Sequence, residues 1–141
     1  MKDSFLFRST AFEVEAGEDS ETNSRRYGRQ LARWIKGKFE ALGYTVEDVI
    51  PEDWGWCVMC QREPFSLWIG CGNRDDSDIA KEDDPPPKKE KIVWECFAMA
   101  EVGFLRRIFG KVDTSAALNK LNAELKQLLD NEPSITREDN Q

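Results

Sequence analysis

The chain of 141 residues contains no histidine. Imidazole is the side chain whose ordinary pKa lies near neutrality, and it is the commonest protein ligand for metals. Its absence excludes Ser-His-Asp and Cys-His catalytic sites, imidazole acid–base catalysis and His-containing metal sites. An enzyme built on this sequence would have to work with carboxylates, cysteine, lysine, hydroxyls or tyrosine. Long apolar runs are also missing: none approaches the ~18 residues of a membrane span. The first ten residues, MKDSFLFRST, lack the apolar core and small-residue cleavage site of a secretory signal, so a cytoplasmic location is expected. There is no GxxxxGK[ST] and no credible GxGxxG, so nothing supports nucleotide binding. Positive charge is in deficit, with 20 basic residues against 27 acidic ones and a net charge of −7. That balance argues against nucleic acid and anionic membranes as partners, and favours solubility or a basic partner.

What is present suits a globular fold. Hydrophobic residues make up 40% of the chain, with five Trp and eight Phe among them, which is more than a disordered segment carries. One domain over residues 1–132 is predicted, followed by a frayed tail at 133–141. Residues 5–14 alternate roughly as a strand. Residues 25–42, RRYGRQLARWIKGKFEAL, place Tyr27, Leu31, Trp34, Ile35, Phe39 and Leu42 on one helical face, and Gly43 is placed to stop the helix. Further strands are predicted at 44–50, 54–62, 65–71 and 92–100. Asp113-Thr114-Ser115 offers caps for a second helix, with Leu118, Leu121, Leu125, Leu128 and Leu129 as its apolar stripe. The segment 104–109 fits helix or strand equally. The order β-α-β-β-β-β-α predicts an α+β domain: a mostly antiparallel five-stranded sheet with two amphipathic helices.

Four cysteines, Cys57, Cys60, Cys71 and Cys96, bring the only recognisable chemical spacing. Trp56-Cys57-Val58-Met59-Cys60 matches W-C-x-x-C. A redox dithiol needs its first thiolate at a helix N-terminus, where amides and the helix dipole lower the pKa. Here Pro64 leaves no room for a following helix, and in a strand residues 57 and 60 point to opposite faces. Structural zinc sites pair two such units or add histidines, and this chain has one unit and two isolated cysteines. Buried small hydrophobes in a sheet are the simplest reading, so no cofactor and no metal are expected. A small thiol or zinc protein centred on Cys57 and Cys60 stands as one alternative function, and a non-enzymatic adaptor as another.

Acids cluster in loops. Glu13, Glu15, Glu18, Asp19 and Glu21 precede the first helix. Asp75, Asp76, Asp78, Glu82, Asp83 and Asp84 lie in a long Pro- and Lys-containing loop at 73–91. Acidic loops on a rigid sheet can imitate phosphates and cover the basic active site of a nuclease, with electrostatically steered association. Read that way, the partner-binding residues would be Glu18, Asp19, Glu52, Asp53, Trp54, Asp75, Asp76, Asp78, Glu82, Asp83 and Asp84, with Trp54 and Trp68 as aromatic anchors. Arg25 and Arg26, on the basic ridge with Arg29, Arg33 and Lys36, are expected to pair internally with Glu18, Asp19 and Glu21 just upstream.

The run YGRQLARWIKGKFEALGY, then a short strand, then PEDWGW and a cysteine-bearing strand, resembles small bacterial proteins that carry an EDWGW motif after an amphipathic helix. The resemblance covers residues 25–60. Size and acidity are also similar to immunity proteins of contact-dependent growth inhibition and related toxin systems. Such a resemblance implies a cognate toxin, often a nuclease, and no catalytic residues. The expected function is therefore neutralisation of a basic toxin by a non-enzymatic protein.

Overall fold

The computed structural model describes residues 4–74, 83–103, 110 and 112–138. It contains β1 (Ser4–Arg8), α1 (Arg29–Ala41), β2 (Ile50–Glu52), β3 (Gly55–Gln61), β4 (Ser66–Asn73), β5 (Trp94–Glu101), α2 (Ser115–Asn131) and β6 (Thr136–Arg137), with 3-10 turns at Glu18–Ser20 and Lys89–Lys91. The strands form one six-stranded sheet in the order β2-β3-β4-β5-β1-β6, and every neighbouring pair is antiparallel.

The α+β class and the antiparallel sheet agree with expectation, and the strand count is corrected from five to six. β6 falls where a frayed tail was expected. Two residues suffice because β1 offers a free edge: Phe7 and Arg8 pair with Arg137 and Thr136, and the Glu138 amide donates to the Leu6 carbonyl at 2.8 Å. Arg137 then ties β6 to α2 through Asp130 at 2.6 Å. The first strand ends at Arg8, well short of residue 14, and the first helix begins at Arg29 instead of residue 25. Of the predicted second strand at 44–50, only Ile50 is in a regular strand, which runs on as Ile50–Glu52.

Alternation along the strands sorts the side chains. Trp56, Val58 and Cys60 of β3, Leu67, Ile69 and Cys71 of β4, and Trp94, Cys96 and Ala98 of β5 enter the core beneath both helices. From α1 they meet Leu31, Ala32, Ile35 and Phe39, and from α2 Leu121, Leu125 and Leu129. Burial of each Val, Leu, Ile or Phe side chain among these contributes about 1.5–3 kcal/mol. Trp34 sits at the edge of this core, its ring 5.3 Å from that of Phe12. Leu42 departs from the predicted stripe and is 54% exposed, because the helix ends there. The ending is a Schellman motif: the Gly43 amide donates to Glu40 and the Tyr44 amide to Phe39, with Gly43 at φ 103°. The accompanying apolar contact is the Phe39–Tyr44 ring pair at 5.5 Å.

With α1 and α2 on the core side, the other side chains of β3, β4 and β5 turn to the opposite face of the sheet. No helix among the described residues is long and apolar enough to cross a membrane.

Candidate partner-binding site

The EDWGW stretch is the hairpin joining β2 to β3. Glu52 pairs with Gly55, so Asp53 and Trp54 form the two-residue turn. A Cβ at Gly55 would lie 2.4 Å from the Cys71 carbonyl oxygen, and its φ of 152° is one that side chains resist. The hairpin can therefore lie flat on β4 only with glycine at this position. The two tryptophans then part company.

Trp56 goes inward to Glu18. This carboxylate is fully buried, at 0% exposure, which corrects its assignment to a partner-binding surface. One oxygen accepts from the Gly28 and Arg29 amides at 3.0 Å each and from the Trp56 indole N–H at 2.9 Å. The other accepts from the Glu15 amide at 2.7 Å. α1 begins with Gly28, which has no side chain to cap the helix, so Glu18 supplies the acceptor and the negative charge from ten residues upstream. Asp19 is likewise engaged locally, accepting the Arg25 amide at 3.0 Å.

The basic ridge is internally paired. Arg29 meets Glu15 at 2.6 Å and Glu21 at 2.7 Å, and Lys36 meets Glu40 at 2.8 Å. Arg33 lies 3.9 Å from Glu15. The hydrogen bond that Arg29 donates to the Glu15 carboxylate raises the Arg29 pKa. Beside this ridge runs a groove of about 460 Å³ between α1 and β2, with Arg29 stacked 5.1 Å over the Trp56 ring.

All four cysteines are free and buried. Cys57 and Cys60 point to opposite faces, with Cys60 in the core cluster and Cys57 outside it. Burial pushes both thiols up to about 12. An attacking thiolate needs the opposite shift. Cys71 and Cys96 face each other across β4 and β5 with their sulfurs 4.0 Å apart. Among the described residues no group of three or more His, Cys, Asp or Glu is placed to hold a metal.

Trp54 goes to the face that α1 and α2 do not cover. Its ring stacks on Trp68 at 5.6 Å with an interplanar angle of 21°, and Phe97 closes the cluster 5.4 Å from Trp54 and 5.8 Å from Trp68. The floor is glycine: a Cβ at Gly70 would lie 2.3 Å from the tip of the Phe97 ring, and one at Gly72 would lie 3.0 Å from the Trp54 carbonyl oxygen. The Trp68 indole donates to Glu101 at 2.8 Å, which fixes the ring over the sheet. A groove of about 530 Å³ opens against this cluster, lined also by Asn23, Arg26, Asp53, Asn73, Arg74 and Glu95. Arg74 lies 3.9 Å from Glu95 across it.

Of the predicted site residues, the structure brings Asp53 and Trp54 together at this groove, with Glu52 exposed beside them. Asp83 and Asp84 are exposed as well, and the Arg25 guanidinium donates to the Asp84 and Pro85 carbonyls at 3.2 and 3.3 Å. Asp75, Asp76, Asp78 and Glu82 lie outside the described residues. Sequence reasoning missed Phe97, Arg26, Arg74 and Glu95 as groove residues. A signal for Phe97 and Glu95 was available, since they alternate with Trp94 and Cys96 in WECFAMA and so must face away from the core.

No family model, curated protein or solved structure matches the chain.

Proposed function

We propose that this chain is a non-enzymatic binding protein that neutralises a basic toxin, with a nuclease as the favoured target, by covering the toxin's active site. The observation that carries the reading is the sheet face left uncovered by α1 and α2, where a stacked Trp54–Trp68 pair lies beside the exposed carboxylates of Glu52 and Asp53. An aromatic centre with a charged rim is the usual anatomy of a protein interface, and tryptophan is over-represented among residues that dominate binding energy. The net charge of −7 would speed encounter with a cationic partner. The raised thiol pKa values of Cys57 and Cys60 count against thiol chemistry.

The test is co-expression with the product of the neighbouring gene, followed by binding and activity assays. A one-to-one complex that weakens with salt, together with loss of the partner's nuclease activity, is the expected result. Absence of binding at low ionic strength, or a complex in which the partner stays fully active, would sink the reading.

A further inference from the structure

Cys71 and Cys96 stand apart from the other two cysteines. They face each other in the register of β4 and β5, with their sulfurs 4.0 Å apart, and both are fully buried in the core beneath the helices. Facing Cα atoms of an antiparallel pair lie about 4.5 or 5.5 Å apart, and either spacing falls inside the roughly 4.4–6.8 Å that a disulfide spans. Closure of a bond here asks for side-chain rotation and at most a small approach of two strands that are already paired. No other pairing of the four cysteines is so placed. Cys57 faces Gly70 and points to the other side of the sheet. Cys60 lies at the register shift of β3, about 13 Å along the strand from Trp56, which is the β3 residue facing Cys71.

We propose that Cys71 and Cys96 form a disulfide when the chain folds in the presence of a small-molecule disulfide, and that the finished core then shields the bond from reductants. The inference is independent of the binding reading above. One cysteine thiolate attacks a sulfur of the small disulfide and expels a small thiolate, which leaves a mixed disulfide on the protein. The second cysteine thiolate attacks the cysteine sulfur of that mixed disulfide and expels the other small thiolate. The two cysteine protons end on the two small thiols. The cysteines lose two electrons and the small disulfide gains them. Folding sets the timing. In the native chain both thiols lie at 0% exposure, and a close-packed interior has no room for a mixed disulfide. Burial also raises the Cys71 pKa, which keeps the attacking thiolate scarce there. The exchange therefore belongs to the unfolded or partly folded chain, where the thiols are within reach, and the register of β4 and β5 selects the pair. The ring so closed takes in residues 72–95, so the bond fastens the two ends of the acidic loop at 73–91 to each other.

The experiment refolds the full reduced chain from urea in a buffer of oxidised and reduced glutathione. Free thiols are then trapped with iodoacetamide, and the bonds are mapped by mass spectrometry of proteolytic peptides. The expected product carries Cys71–Cys96 as its main bond, keeps Cys57 and Cys60 as thiols, and has the circular dichroism of the reduced native chain. Reduced native chain in the same buffer should form the bond at least about tenfold more slowly, because it must first open. Once formed, the bond should resist dithiothreitol without urea and yield to it in urea. Cys96→Ala should abolish the protected bond, and the mapping on the natural chain decides the pairing whether or not that variant folds. No disulfide, a main bond between other cysteines, a random mixture of pairings, or an oxidised chain without the native spectrum would overturn the pairing. Equal oxidation rates for native and refolding chain, or reduction without urea as fast as with it, would overturn the shielding.

Discussion

Trp54 and Trp56 are two residues apart and sit on opposite sides of one sheet. Trp56 is 2% exposed, donates to a buried carboxylate and shares that carboxylate with the start of α1. Trp54 is half-buried and packs against the Trp68 and Phe97 rings on a face that α1 and α2 do not cover. The same residue type therefore serves folding on one side and is available for recognition on the other. What separates them is the face each enters: Trp56 turns into the core, where Glu18 accepts its indole N–H.

That contrast can be broken by substitution. The largest effect is expected for Trp56→Ala and for Glu18→Ala, each costing about 3–5 kcal/mol of unfolding free energy in urea melts, because the first opens a cavity and the second leaves several buried N–H donors without an acceptor. Their double variant should cost less than the sum, since each removes the same hydrogen bond. Gly55→Ala comes next, at about 1–3 kcal/mol, since its Cβ would have to push the Cys71 carbonyl away. Trp54→Ala should cost less than about 1 kcal/mol of stability and yet weaken partner binding by more than about 2 kcal/mol, measured by calorimetry. If Trp54→Ala destabilises as much as Trp56→Ala, the two faces are not distinct in role.

The smallest expected effect is on pH dependence. The folded chain holds the Cys57 and Cys60 protons to about 12, against an ordinary thiol value of 9.0. A group whose pKa is raised on folding stabilises fully below its unfolded pKa and ceases to do so as pH rises through the folded one. Urea midpoints should therefore decline above pH ~9. Replacing Cys57 and Cys60 by alanine should lessen that decline, and Cys71, whose thiol is also pushed up by burial, carries part of what remains. At the acid end the sign reverses. The hydrogen bond from Lys126 holds Asp130 below its ordinary 3.8, so stability falls as pH drops from there.

Much of this was legible in advance. The α1 stripe could be read because a helix repeats locally, and Leu31, Ile35 and Phe39 are buried as the spacing required. Pairing with the upstream acids was expected at Arg25 and Arg26, and the structure shows it at Arg29, which meets Glu15 and Glu21. Glu18 was not legible. Its four donors come from Glu15, Gly28, Arg29 and Trp56, and no local pattern marks one acid among five as the buried one. β6 was missed for a related reason: two polar-flanked residues become a strand only because β1 lacks a neighbour. The aromatic cluster needed the register as well, since Trp54, Trp68 and Phe97 come from three segments that only the fold brings together.

The position of β1 has a consequence for how the chain is made. Ser4 hydrogen-bonds Glu95, 91 residues further on. Ribosomes add roughly 5–20 residues per second, so β1 waits several seconds after its synthesis before β5 exists to receive it. During that interval Phe5 and Phe7 have no sheet to enter and remain apolar surface on the nascent chain.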